Sequence, residues 1–244
     1  MKRADIVNVR GLLGGRARYR CGPARPGFYW EPQQVAQLVV DLESAAHDSQ
    51  EEEDVAANRL YLGVITISPS KSGHSIVLDG QQRLAVLVMF LAFARDRMPS
   101  NRERNLIDRL LVRRAFGRPP EARLRLSPED HAWFSHFILP PGATRRLPET
   151  SPLGSPRELL LCARFMEHTF AQYNAAVLSS VVDFLLHHTA VCRSLGEARQ
   201  TFMAPPQASV PSRPAPMPDM PPPPRHTWND SDAVPAARYR VAAE

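Results

Sequence analysis

The chain has 244 residues, 43% of them hydrophobic, enough for one sizeable domain, or one packed domain with a tail. A net charge of +5 and a pI near 9.5 invite a nucleic-acid partner. Lys2 and Lys71 are the only lysines among 30 basic residues, however, a bias that a GC-rich coding sequence produces as readily as a binding requirement. Cys21, Cys162 and Cys192 are odd in number and lack metal-ligand spacing, so they read as free thiols in a reducing compartment. No signal-like apolar run opens the chain. The longest apolar stretch, Leu84 to Ala94, is shorter than the ~20 residues that cross a bilayer. The expectation is a cytoplasmic protein with no membrane partner.

Residues 1–30, rich in Gly, Arg and Pro, read as irregular or extended. Pro32 then stands where a first helical turn tolerates it, and Val35, Leu38, Val39 and Leu42 follow at helical spacing. The acidic run Glu51-Glu52-Glu53-Asp54 reads as a solvated loop. Leu60–Ser68 and His74–Leu78 have strand character and are joined by the turn signal Pro69–Gly73, which predicts a hairpin bringing Asp79 to the sheet edge. The stretch after Asp79 is apolar nearly all round, as in a helix running through a core.

Residues 95–125 hold ten arginines against four acids, with Ile107, Leu110 and Leu111 giving an apolar side to a second helix. Arg102, Arg104, Arg109, Arg113 and Arg114 are candidates for a phosphate-binding face. With no aromatics interleaved to stack on bases, a solvated helix face explains them at least as well. Ser127-Pro128-Glu129-Asp130 and Ser155-Pro156-Arg157-Glu158 both read as helix starts. Helices are predicted over about 128–138, 156–172 and 174–188. Neither Glu167-His168 nor His187-His188 has chelating spacing; adjacent helical positions point ~100° apart. From Pro205 the composition changes: ten of the twenty residues 205–224 are proline, which predicts a disordered or polyproline II tail. The predicted fold class is α+β: a small mixed sheet with a buried central helix, then a helical region over 1–204, then a Pro-rich tail over 205–244.

The block that carries chemistry is Val77-Leu78-Asp79-Gly80-Gln81-Gln82-Arg83-Leu84, at the predicted strand-to-helix junction. Gly80 admits close backbone approach, and the first helical N–H groups stay unpaired and point outward. With the helix dipole and Arg83 they form a candidate phosphate cradle, with Asp79 facing it. The plain alternative is an Asp-Gly turn with Asp79 as an N-cap.

This block, with Tyr61-Leu62-Gly63-Val64-Ile65 upstream, resembles the N-terminal domain of GmrSD-type restriction endonucleases, a domain related to the ParB/sulfiredoxin fold and marked by an intact DGQQR motif. Tyr19-Arg20 through Trp30-Glu31-Pro32-Gln33-Gln34-Val35 is similar to the family's opening segment. Arg123-Leu124-Arg125-Leu126-Ser127-Pro128-Glu129-Asp130 looks like a strand and helix start of one branch. The resemblance implies a nucleotide-binding or nucleotide-hydrolysing module of an anti-phage restriction system. It implies a nucleoside triphosphate as substrate or ligand and Mg²⁺ as cofactor, with DNA and a separate nuclease subunit as partners.

On that reading Gly80 and Gln81 hold phosphate oxygens, and Arg83 neutralises charge on the transferred phosphoryl group. Asp79 binds Mg²⁺ or orients the attacking water, and Gln82 places that water or the base. The family's Tyr-Gln-Arg triplet is replaced by Ala24-Arg25-Pro26, so Arg25 becomes the candidate to supply the missing phosphate contact. Beyond Phe202 the resemblance stops, and neither the family's Asn-x-Arg-Gly segment nor an HNH nuclease motif follows. The expectations beside the nucleotide module are therefore a non-catalytic DNA-binding or sensor subunit, and a truncated or frameshifted remnant with an exposed apolar face on its 174–188 helix.

Overall fold

The computed structural model describes residues 4–22, 27–51, 59–70, 73–114, 116–117 and 119–196. Arg25, the acidic residues 52–54 and the Pro-rich tail lie outside them, as does the division of the chain at 204. In chain order the elements are β1 (Ala4–Val7), α1 (Val9–Leu13), β2 (Tyr19–Cys21), α2 (Pro32–Glu51), β3 (Leu60–Pro69), β4 (Ser75–Asp79), α3 (Gln81–Arg97) and α4 (Asn101–Leu111). Then come β5 (Val112–Arg113), β6 (Glu121–Ala122), β7 (Leu124–Arg125), α5 (Pro128–Phe137), a 3-10 turn (Ala143–Arg145), α6 (Pro156–Ala171), α7 (Ala175–His187) and β8 (Thr189–Leu195).

Six strands form one mixed sheet in the order β1-β8-β3-β4-β2-β7, and β5 pairs with β6 in a small separate ribbon. The class is α+β, as expected. β3 and β4 are antiparallel, while β4 and β2 run parallel, as do β2 and β7. The predicted hairpin is therefore present, but β4 lies inside the sheet. Asp79 stands at its carboxyl end, not on an edge strand.

The first thirty residues, expected to be irregular or extended, hold two strands and one short helix that was not expected. β1, α1 and β2 have four, five and three residues, too few to show a hydrophobic period. Their stability comes from distant partners. β1 pairs antiparallel with β8, nearly the whole domain away in sequence, and the Tyr19 hydroxyl donates to the Leu12 carbonyl at 2.7 Å. β8 itself follows α7 with only His188 between them and pairs with β3.

α3 is the hub. Every residue from Leu84 to Asp96 is buried, so the helix has no wet face. The Phe170 ring packs edge-on to Phe90 at 4.8 Å and tilted to Phe93 at 5.8 Å, joining α6 to α3. A buried guanidinium closes the far end. Arg95, 2% exposed, donates to the Asp96 carboxylate at 2.8 Å and to the carbonyls of Leu139 and Pro140 at 2.6 and 2.7 Å. It thereby satisfies acceptors just past the end of α5 that burial would otherwise leave unpaired.

One expectation is corrected here. The apolar face of α7 is covered: Leu178, Val181, Val182, Phe184, Leu185 and Leu186 are all buried. Of the arginines in 95–125, the candidates Arg102, Arg104, Arg109 and Arg114 are exposed and Arg113 is half-buried. Arg95 and Arg123 are interior, Arg123 donating to the carbonyls of Arg109, Gly15 and Ala17. Arg114 bonds Asp108, and Arg104 bonds the Pro99 carbonyl. Among the described residues no helix is long and apolar enough to cross a membrane.

Candidate functional site

The junction between β4 and α3 forms as its sequence requires. Gly80 is the N-cap of α3 with φ +84°, a left-handed conformation that L side chains rarely adopt, and no side chain caps the helix. The first intrahelical bond runs from the Leu84 N–H to the Gly80 carbonyl at 3.0 Å. A Cβ on Gly80 would lie 2.9 Å from both the Val64 carbonyl oxygen and Ile65 Cγ1. The close approach that needs glycine is therefore made to β3. Gly80→Ala is expected to lower stability by about 1–3 kcal/mol from backbone strain alone, more with the collision against β3. A urea unfolding midpoint equal to wild type would contradict it.

Arg83 ties the two motif segments together. β3 carries an irregularity between Tyr61 and Val64 in its pairing with β8, and Gly63 in that bulge has φ +89°. A Cβ there would stand 3.1 Å from the Arg83 guanidinium carbon, so the guanidinium lies directly over Gly63, and it donates to the Val64 carbonyl at 3.4 Å. The Tyr-Leu-Gly-Val-Ile strand is thus the floor under Arg83. Nothing in the sequence alone marked Gly63 for this role, although a glycine inside a strand signals a bulge or a close approach. Asp79 is exposed at the end of β4, pairing with Thr66 through its backbone.

Gln82 faces the other way. It is 5% exposed, and its Oε1 accepts from the N–H groups of Tyr29 and Trp30 at 3.0 and 3.4 Å while Nε2 donates to the Gly27 carbonyl at 3.3 Å. Its amide holds the backbone of 27–30, whereas the sequence reading set it to place water or base.

Asp130 grips the same segment. Its carboxylate, 1% exposed, accepts from the Phe28 N–H at 2.7 Å and from the hydroxyls of Ser127 and Ser155 at 2.9 and 2.5 Å. A Cβ at Gly27 would collide with Ser155 and Asp130, so only glycine lets the strap lie this close. The Cys162 thiol donates to the Trp30 carbonyl at 3.3 Å. Sequence reading had Asp130 as part of a helix start; its second task depends on a contact across about a hundred residues.

Gln81, Gln82, Cys21, Ser127 and Asp130 border a cavity of about 20 Å³, room for a single water. Burial, with Asp130 nearby, pushes the Cys21 thiol up to about 12, and burial does the same to Cys162, so neither is a thiolate nucleophile at neutral pH. The structure therefore leaves Asp79 exposed and Arg83 half-buried on either side of the Gly80 turn, turns Gln82 inward, and sets Gln81 beside the small cavity. Arg25, the remaining candidate, lies outside the described residues, five positions before Trp30.

Residues 27–145 match the family model for the GmrSD restriction endonuclease N-terminal domain, so over that segment the chain is similar to this restriction-endonuclease family. The match begins at the clamped strap and ends in the 3-10 turn, so it includes both motif segments and Asp130. No curated protein matches the chain.

Proposed function

We propose that the chain is the nucleotide-binding module of a restriction system and that the Asp79–Arg83 turn binds and hydrolyses a nucleoside triphosphate. The observation that carries this reading is the turn itself. A 17-residue buried helix opens on a left-handed glycine without a side-chain cap, beside a guanidinium fixed over Gly63. Fixed positive charge on a rigid element is what a phosphoryl-transfer site requires, because positioning and electrostatics supply most of its rate. The cavity beside the turn is too small for a phosphate chain, so the triphosphate lies on the open side, with its oxygens on the N–H groups of Gln81 and its neighbours.

Asp79 is the residue that would hold Mg²⁺. Among the described residues there is no group of three His, Cys, Asp or Glu side chains able to hold a metal. An exposed carboxylate suits Mg²⁺, which takes one or two carboxylates and completes its shell with phosphate oxygens and water. When bound, the ion would neutralise charge shared between phosphates. Arg83 offsets the charge that develops on the transferred group, and Gln82 and Asp130 fix the 27–30 strap beside it. DNA and a nuclease subunit are the partners such a module would serve.

The test is phosphate release from GTP, ATP and CTP with Mg²⁺ by the full chain, beside Asp79→Ala and Arg83→Ala. The expected result is turnover that falls on the order of a hundredfold or more in both variants. A folded wild type without turnover would end the hydrolase reading. Unchanged rates in the variants would remove the chemistry from this turn.

A further inference from the structure

Two guanidiniums share a concave site at the opposite end of α3. There a pocket of about 440 Å³ opens between Arg97, Arg145, Phe170, Tyr173, Asn174 and Leu178. That volume is in the range of small-molecule sites. With a rise of 1.5 Å per residue, α3 separates it from Gly80 by ~24 Å, so it is a different site from the cradle.

Both charged side chains on its wall are guanidiniums, and no carboxylate lines it. Arg97 is seated over the rings of Phe93 and Phe170, 4.9 and 5.8 Å from their centroids, and one of its N–H groups donates to Thr144 Oγ1 at 3.2 Å. Arg145 donates through Nε to the Asp96 carbonyl at 2.9 Å and through Nη2 to the same oxygen. These bonds orient each fork and leave Nε and Nη2 of Arg97 and Nη1 of Arg145 without a protein acceptor among the described residues.

The surrounding carboxylates have other partners. Asp96 accepts from Arg95, Gly142 and Thr144, Glu167 pairs with Arg164 at 3.1 Å, and Glu43 takes the Tyr173 hydroxyl. Burial, then the repulsion of Arg145, lowers the pKa of Arg97 despite help from Glu167 and Asp96. Two oriented forks on one concave wall match a doubly charged tetrahedral oxyanion better than a single carboxylate, and the wall continues into Tyr173 and Leu178.

We propose that this pocket binds a phosphorylated small molecule, its phosphate between Arg97 and Arg145 and its organic part against Tyr173 and Leu178. The ligand's charge offsets the repulsion between the two guanidiniums.

The experiment is calorimetric titration of the full chain with inorganic phosphate and with AMP, without Mg²⁺, in wild type and in Arg83→Ala. In Arg83→Ala, which removes the guanidinium of the cradle, both ligands are still expected to bind one site saturably, AMP the more tightly. Arg145→Gln should raise both dissociation constants on the order of tenfold or more. Arg97→Lys, which keeps charge and packing but loses the fork, should also weaken both, while the exposed neighbour Arg146→Gln should not. Circular dichroism melts establish that each variant is folded. Absence of saturable binding, equal binding by Arg145→Gln, or loss of binding in Arg83→Ala would each overturn the proposal.

Discussion

Gln82→Ala is expected to release residues 27–30 from α3 and to destabilise the domain on the order of 3 kcal/mol. Two backbone N–H groups and one carbonyl lose their partner at once, in a setting where the amide that served them is almost wholly buried. An unmade hydrogen bond of this kind costs ~1–3 kcal/mol per group, and water entering the gap recovers part of it. The loss should be local before it is global, because Asp130 still grips the Phe28 N–H from the other side. Amide hydrogen exchange would therefore show Tyr29 and Trp30 accelerated with Phe28 less so, and the core of α3 unchanged. Turnover at the proposed site should fall with the strap's order. If instead the variant kept wild-type stability and exchange while losing turnover, Gln82 would be acting on the substrate directly, as the sequence suggested.

Phe90→Ala carries the larger penalty. Phe90 lies in the middle of a helix buried on every side and meets Phe170 edge-on at 4.8 Å. Removing such a ring from a core costs about 3–5 kcal/mol, from lost transfer energy and the cavity left behind. Domains are stable by only ~5–15 kcal/mol, so this variant should lose at least about a fifth of its folding free energy. A denaturant titration that moved the midpoint by clearly less than about a fifth of the wild-type value would show that α6 closes onto α3 to fill the space.

The sequence made the long elements legible, and the reason is periodicity. α2, α3, α5, α6 and α7 each span ten or more residues, and their apolar spacing or caps place them within a residue or two at most boundaries. α2 runs further, to Glu51, because Ala46 continues the buried stripe of Val35, Val39 and Leu42 where polar neighbours obscured it. β1, β2, β7 and β8 are held by partners far along the chain, which no local window contains. The same limit applies to the site. Asp79, Gly80 and Arg83 were readable as a turn followed by a helix, whereas Gly63, Gln82 and Asp130 acquire their roles from contacts across 19 to 102 residues. A polar residue in an apolar helix invites a catalytic reading; here the burial of Gln82 and the backbone it holds explain its presence.

The strap and the cradle form one construction. Gln82 and Arg83 are neighbours on the first turn of α3, yet one reaches inward to the chain before α2 and the other outward across the bulge of β3. The turn is thereby braced from both sides. A ligand on its open face meets groups whose positions are already fixed, which lowers the ordering cost of binding.

Equilibrium titration of wild type, Asp79→Ala and Arg83→Ala with Mg²⁺ and a non-hydrolysable nucleoside triphosphate tests the central claim most directly, because it separates binding from turnover. Saturable binding by wild type, weakened at least tenfold in both variants while their melting temperatures stay near wild type, is the predicted result. Binding that persists unchanged in both variants, or a folded wild type that binds no triphosphate, would contradict the assignment of the Asp79–Arg83 turn.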